Sequence, residues 1–255
     1  MTTAIMQPTY LPWAGYFNLI HRANRFVFLN DVKFEKSSWQ TRNRIFLQGR
    51  AQLITAPTSG SRNQLIVDVA LAAGDFRAKH RRLLEQAYAK HPHGPDLLEV
   101  VLPVLSDRSL VKLQDLNMQL IFALCRRLDI GSEFSCSTEL APDGQRSARL
   151  LSILQKFGEQ HYLSPPGSAD YITEDAVLEA AGITVEYQHF EAFPYPQRSD
   201  AAFVPRLSVV DVIANLGFEL GRRYVTQELE PSSLFEPTAR PSPPEPDRLG
   251  LPAAP

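Results

Sequence analysis

The chain has 255 residues, 44% of them hydrophobic, and a formal net charge of −2, enough apolar material for one large domain with a sizeable core. No basic face or stripe invites a nucleic-acid partner, and no stretch approaches the roughly 20 apolar residues of a membrane span. Cys125 and Cys136 make neither a secreted disulfide framework nor a metal-ligand spacing, and no signal peptide opens the chain, so a soluble, cytoplasmic protein is expected.

Residues 2–6 read as a short strand and 16–24 as a helix with Phe17, Leu19, Ile20 and Ala23 at helical spacing. Between them lies Met6-Gln7-Pro8-Thr9-Tyr10-Leu11-Pro12-Trp13-Ala14-Gly15-Tyr16-Phe17, too rigid and aromatic for a linker, since proline fixes φ and aromatic rings need packing partners. A buried strand follows at 26–29. Residues 45–47 and 51–55 flank the turn pair Gln48-Gly49 and suggest a β-hairpin, and residues 65–71 alternate like another strand. Helical periodicity then takes over at 75–90, with Asp75 as its cap, at 96–105 and at 110–128, where Cys125 falls on an apolar stripe as a structural thiol. The second half alternates: strand 133–137, helix 147–157, strand 160–164, helix 174–181, strand 183–187, then a helix capped by Ser208 and stopped by Gly217. This rhythm predicts an α/β fold with a Rossmann-like, mostly parallel sheet, an inserted β-hairpin and a helical subdomain at about 75–130. Residues 1–225 form that domain. Eight of the last 25 residues are proline, so 226–255 reads as a disordered tail.

Chemistry concentrates at the ends of these strands. Asp31 directly follows a buried strand, at the edge where open parallel sheets bind ligands, although aspartate also caps turns readily. Arg42 and Arg44 alternate on one strand face and suit bidentate contact with phosphate or carboxylate; the alternative is a solvated edge paired with Glu35 or Asp31. Trp39, Gln40 and Asn43 beside them suit ring stacking and polar contact. Gln7, Tyr10, Trp13 and Tyr16 line a pocket wall or wedge the loop. A free imidazole titrates near neutrality, so His80 is the leading acid–base candidate, with Lys79 next to it, unless it is a satisfied core or helix-surface histidine. Ser164 ends a strand without a nucleophile elbow, so it and Tyr171 read as a ligand-binding loop. Gln197 and Tyr195 close the pocket, Asp211 reads as a first-turn charge, and the remaining histidines show no metal spacing.

The opening motif, Asp31-Val32-Lys33-Phe34, Trp39-Gln40-Thr41-Arg42-Asn43, Lys79-His80, Tyr162-Leu163-Ser164 and Phe203-Val204-Pro205-Arg206-Leu207-Ser208-Val209-Val210-Asp211 together resemble the WbqC-like protein family, in its order, from residue 4 to about 218. The resemblance implies a biosynthetic enzyme of surface-polysaccharide, O-antigen or specialised-metabolite assembly. The chain departs from the family's usual pattern at Asn30 and Pro165. The opening is also similar to nucleotidylyltransferase-type folds, but Trp13-Ala14-Gly15-Tyr16 stands where those carry His-x-Gly-His, so the phosphate-stabilising imidazoles are absent. The expectation is transfer of an acyl or aminoacyl group to an amine such as an amino sugar. His80 is then the base, and a carrier-bound or coenzyme A thioester the donor. A nucleotide sugar or free amine would be the small-molecule partner, with an acyl carrier protein as a further one. Nucleotidyl or phosphate transfer, or ligand binding without catalysis, are the alternatives.

Overall fold

A computed structural model of the chain describes residues 1–59, 63–198 and 202–234. Five strands, β1 (Thr2–Met6), β2 (Arg25–Phe28), β5 (Glu133–Cys136), β6 (His161–Ser164) and β7 (Thr184–Tyr187), pair in parallel in the order β5-β2-β1-β6-β7. The protein is therefore α/β with a parallel five-stranded sheet. Two further strands, β3 (Arg42–Leu47) and β4 (Arg50–Thr55), make a separate antiparallel hairpin. Its turn residues Gln48 and Gly49 both have positive φ, 52° and 77°, the backbone twist that two-residue hairpins prefer.

Alternation along the strands divides the sheet's two faces. Ala4, Phe26, Phe28 and Leu163 point into a large core shared with α1 (Ala14–Arg22), α2 (Phe76–Tyr88), α3 (Gly94–Ser106), α4 (Leu113–Arg127) and α9 (Val209–Thr226). Ile5, Val27 and Tyr162 point the other way, onto α6 (Arg146–Phe157), α7 (Ala169–Asp175) and α8 (Val177–Ala180). The helices that connect β1, β2 and β5 thus cover one face, and those that connect β5, β6 and β7 the other. Right-handed crossovers running outward in both directions from β1 require this, and a crevice opens where the strand order reverses. A short helix α5 (Ser137–Leu140) follows β5.

The structure differs from the sequence-based expectation at four places. Residues 65–71 make no strand but a 3₁₀ turn, Ile66–Asp68, whose amides bond back to the loop after β2: Ile66 N to Val32 O at 3.0 Å and Val67 N to Asn30 O at 2.9 Å. The helix expected at 174–181 is broken at Ala176, which sits at φ 51° between α7 and α8. Gly217 does not end the last helix but kinks it, and the helix resumes to Thr226. Asp75 precedes α2 without a side-chain capping bond, whereas Ser208 caps α9 through Val210 N. Leu229, at the start of the expected tail, is buried, and 235–255 lie outside the described residues. Among the described residues no helix is long and apolar enough to cross a membrane.

At Gly217 φ is 76° and ψ −179°, a combination open essentially to glycine alone, and an added Cβ would approach the His93 ring to 3.0 Å. Gly217→Ala is expected to cost about 1–3 kcal/mol in a denaturant melt. An unchanged midpoint would show that the kink is not required.

Candidate functional site

A cavity of about 720 Å³ opens at the carboxyl edge of the sheet, where β1, β2, β6 and β7 release the chain at Gln7, Leu29, Pro165 and Gln188. That volume lies within the range of roughly 300–1,000 Å³ usual for small-molecule sites. Its walls come from the loop before α1, the segment ahead of the hairpin, the start of β3, the 165–171 segment and Arg206.

The loop before α1 is almost wholly buried and is tied down group by group. Tyr10 N donates to Trp39 O at 3.0 Å, Asn43 Nδ2 to Tyr10 O at 3.2 Å and Tyr16 Oη to Gln7 O at 3.0 Å. Asn117, fully buried on α4, donates to Pro8 O at 3.1 Å and to Gln40 O at 2.8 Å, joining the loop to the pre-hairpin segment. Gln40 Nε2 in turn meets Gln7 Oε1 at 2.9 Å. On the opposite wall, Gln188 Nε2 donates to Gly15 O and Asn18 Oδ1, both at 2.7 Å, fixing the end of β7 to α1. The space above Gly15 is not open to a ligand: the Trp13 indole lies so close that an added Cβ would meet it at 2.3 Å. The glycine serves the tryptophan.

Gln7, Trp13, Tyr16, Trp39, Gln40, Asn43, Arg44 and Tyr171 all line this cavity. The other expected site residues stand apart. Asp31 is held by the Arg149 guanidinium of α6, whose Nε lies 3.3 Å away, and accepts from Ser137 Oγ at 2.5 Å, a latch between the loop after β2, α5 and α6. Arg42 Nη2 is spent on Ser37 O at 2.5 Å, so alternation puts Arg42 and Arg44 on one face without giving them one task. Lys79 is exposed on α2. Ser164 is buried, with its hydroxyl 3.2 Å from Pro165 O. Gln197 Nε2 bonds Val204 O at 3.0 Å and Asp211 Oδ2 at 3.1 Å. Asp211 itself is fully buried and also accepts from Tyr195 Oη at 2.7 Å, which secures the segment that carries Arg206. Burial pushes its carboxyl above the usual range, against the hydrogen bonds that lower it.

Tyr10 and His80 lie beneath the loop, outside the cavity lining. Tyr10 Oη sits 2.8 Å from His80 Nδ1. Burial pushes the imidazole down to about 4, outweighing a hydrogen bond to the Thr55 backbone, and Lys79 lowers it further. Burial also raises the Tyr10 hydroxyl, so both groups stay neutral, and the imidazole tautomer sets which of them donates.

The cavity lining has a distinctive charge. It contains two guanidinium groups, Arg44 and Arg206, and no Asp or Glu. Arg44 Nη2 donates to Arg206 O at 3.0 Å, and neither arginine has an ion pair among the described residues. The lining also holds no His, Lys or Cys, and its hydroxyls belong to Thr9, Ser38, Ser168 and three tyrosines. Such a site suits an anion with an apolar or aromatic body.

The sequence pattern of the WbqC-like protein family matches residues 7–223. The chain belongs to the WbqC-like protein family. It is 28% identical over 218 residues to the uncharacterized protein Rv1507c of Mycobacterium tuberculosis, covering 85% of this chain and 94% of that protein. No solved structure matches it. The WbqC-like match takes in every wall of the cavity except the strand residues Ile5 and Met6.

Asn117, Gln188, Arg149 and Arg206 were not singled out as site residues from the sequence. Asn117 left a signal, a polar residue centred on the apolar stripe between Leu113 and Ile121. Arg206 lay inside a quoted motif, but its contact with Arg44 spans 162 positions.

The lowered His80 pKa fixes the sign of a pH effect. The folded imidazole stays neutral down to about 4 while the unfolded one titrates near 6.5, so its stabilising contribution is complete above 6.5 and falls away as pH drops toward 4. The loss reaches roughly 3 kcal/mol. Urea melts of His80→Gln should show a shallower decline across that window than the unmodified chain, and parallel slopes would contradict the assignment.

Proposed function

We propose that the chain is a biosynthetic transferase that holds an activated, phosphate-bearing donor in a Rossmann-like crevice and passes its acyl or aminoacyl group to an amine, such as that of an amino sugar. One observation carries this reading: a cavity at the strand-order reversal lined by two guanidinium groups that have no ion pair among the described residues, and by no carboxylate. The amine nitrogen attacks the thioester carbonyl, a C–N bond forms, the C–S bond breaks, and the thiolate leaves with the amine's proton. An amine that is neutral when it attacks needs neither a protein nucleophile nor a strong base. The rate advantage then comes from holding the two reactants in register, worth up to roughly 7–11 kcal/mol in well-oriented systems. His80 is not needed in this scheme. Its bond to Tyr10 supports the wall instead.

A second reading, binding without catalysis, is favoured by the lack of any His, Lys, Cys, Asp or Glu in the lining. It keeps the same ligand and forms no product.

Purified protein supplied with an acyl- or aminoacyl-coenzyme A and a nucleotide-linked amino sugar should release free thiol and form an amide detectable by mass spectrometry. Arg44→Met should lower kcat/KM by about tenfold or more, the loss of one charge-assisted contact. Saturable binding with no thiol release would favour the second reading. Pyrophosphate release from a nucleoside triphosphate, with no amide, would contradict both.

A further inference from the structure

We propose that Arg44 and Arg206 form a diphosphate subsite for the nucleoside diphosphate unit that nucleotide sugars and coenzyme A share, with the base stacked on Trp39. The inference rests on the reading of the cavity as the ligand site and names the chemistry of what enters it.

Arg44 is held in place before any ligand arrives. Its Nη2 donates to Pro205 O at 3.4 Å and Arg206 O at 3.0 Å, while its Nε is buried without a partner. A buried guanidinium donor left unpaired is expensive, and a ligand oxygen is the natural remedy. Thr9, another residue of the lining, also has a buried hydroxyl with no partner. Arg206 stands at φ 56°, in the left-handed region that costs a non-glycine residue energy, and its exposed side chain reaches the same cavity. Elsewhere Arg25, Arg146 and Arg149 each meet a carboxylate. Arg44 and Arg206 do not, although the carbonyl of one touches the guanidinium of the other. Two arginines lining one cavity without a carboxylate favour a partner carrying two negative charges, and a diphosphate offers paired oxygens to each planar fork.

Trp39 supplies the second half of the site. The residue is 53% exposed and lines the cavity, while its backbone carbonyl accepts the bond from Tyr10 N. A held, open indole is a stacking platform for a planar base.

Calorimetric titration of the full chain with UDP, ADP, uridine and inorganic pyrophosphate tests this. UDP or ADP should bind at least tenfold more tightly than uridine, and the preferred base distinguishes a nucleotide sugar from coenzyme A as the source. Arg206→Met, an exposed position that leaves the fold intact, should weaken UDP by about tenfold or more. Trp39→Ala should weaken UDP and ADP but not pyrophosphate. Uridine binding as tightly as UDP, or Arg206→Met binding UDP as well as the unmodified chain, would overturn the subsite. Pyrophosphate binding as tightly as UDP would overturn the place of the base. UDP binding as described with no amide in the transfer assay removes the transferase reading and leaves the subsite standing. Amide formation that UDP fails to inhibit does the reverse.

Discussion

An irregular loop buried in protein must find partners for its amides and carbonyls, and residues 7–13 draw several of theirs from distant parts of the chain. Pro8 and Pro12 lower the demand by removing two amides. Asn117 answers Pro8 O, Asn43 answers Tyr10 O, Trp39 O answers Tyr10 N, and Pro12 O accepts from Val209 N at 2.8 Å. Each bond also fixes its partner. The loop thereby decides where the pre-hairpin segment, β3 and the start of α9 come to rest, and the cavity is the space enclosed between them.

Of the non-glycine residues with positive φ, Leu11 lies in the loop and Arg206 in the cavity lining. Leu11 is buried at φ 44° and Arg206 is at φ 56°, conformations that persist only where surrounding contacts overdetermine them. Asp211 provides part of that constraint for the second. Buried at the first turn of α9, it gathers Tyr195 and Gln197, and Gln197 brackets Val204 through both its amide groups. A carboxyl read as a helix-dipole charge instead sets the geometry of the segment that ends at Arg206.

Periodicity made the strands, most helices and the carboxyl-edge position of the opening loop legible, because these depend on residues close in sequence. What it missed depended on contacts. The Ile66 and Val67 side chains are β-branched, yet their amides pair with the loop after β2, and among the described residues the segment makes only isolated bridges at Leu65, Ala70 and Leu71. His80 has the right side chain for acid–base work, but only the fold shows that its ring is committed to Tyr10 beneath the wall. Arg44 was visible from strand alternation. Its pairing with Arg206, across a loop closed by a buried aspartate, was not.

A ligand in the cavity touches the loop before α1, the pre-hairpin segment with β3, and the Arg206 segment at once. Hydrogen exchange followed by mass spectrometry, with and without saturating UDP, addresses it directly. Exchange should slow together in peptides covering 7–16, 38–44 and 202–207. Protection confined to α2 around His80, with those three segments unchanged, would contradict that contact.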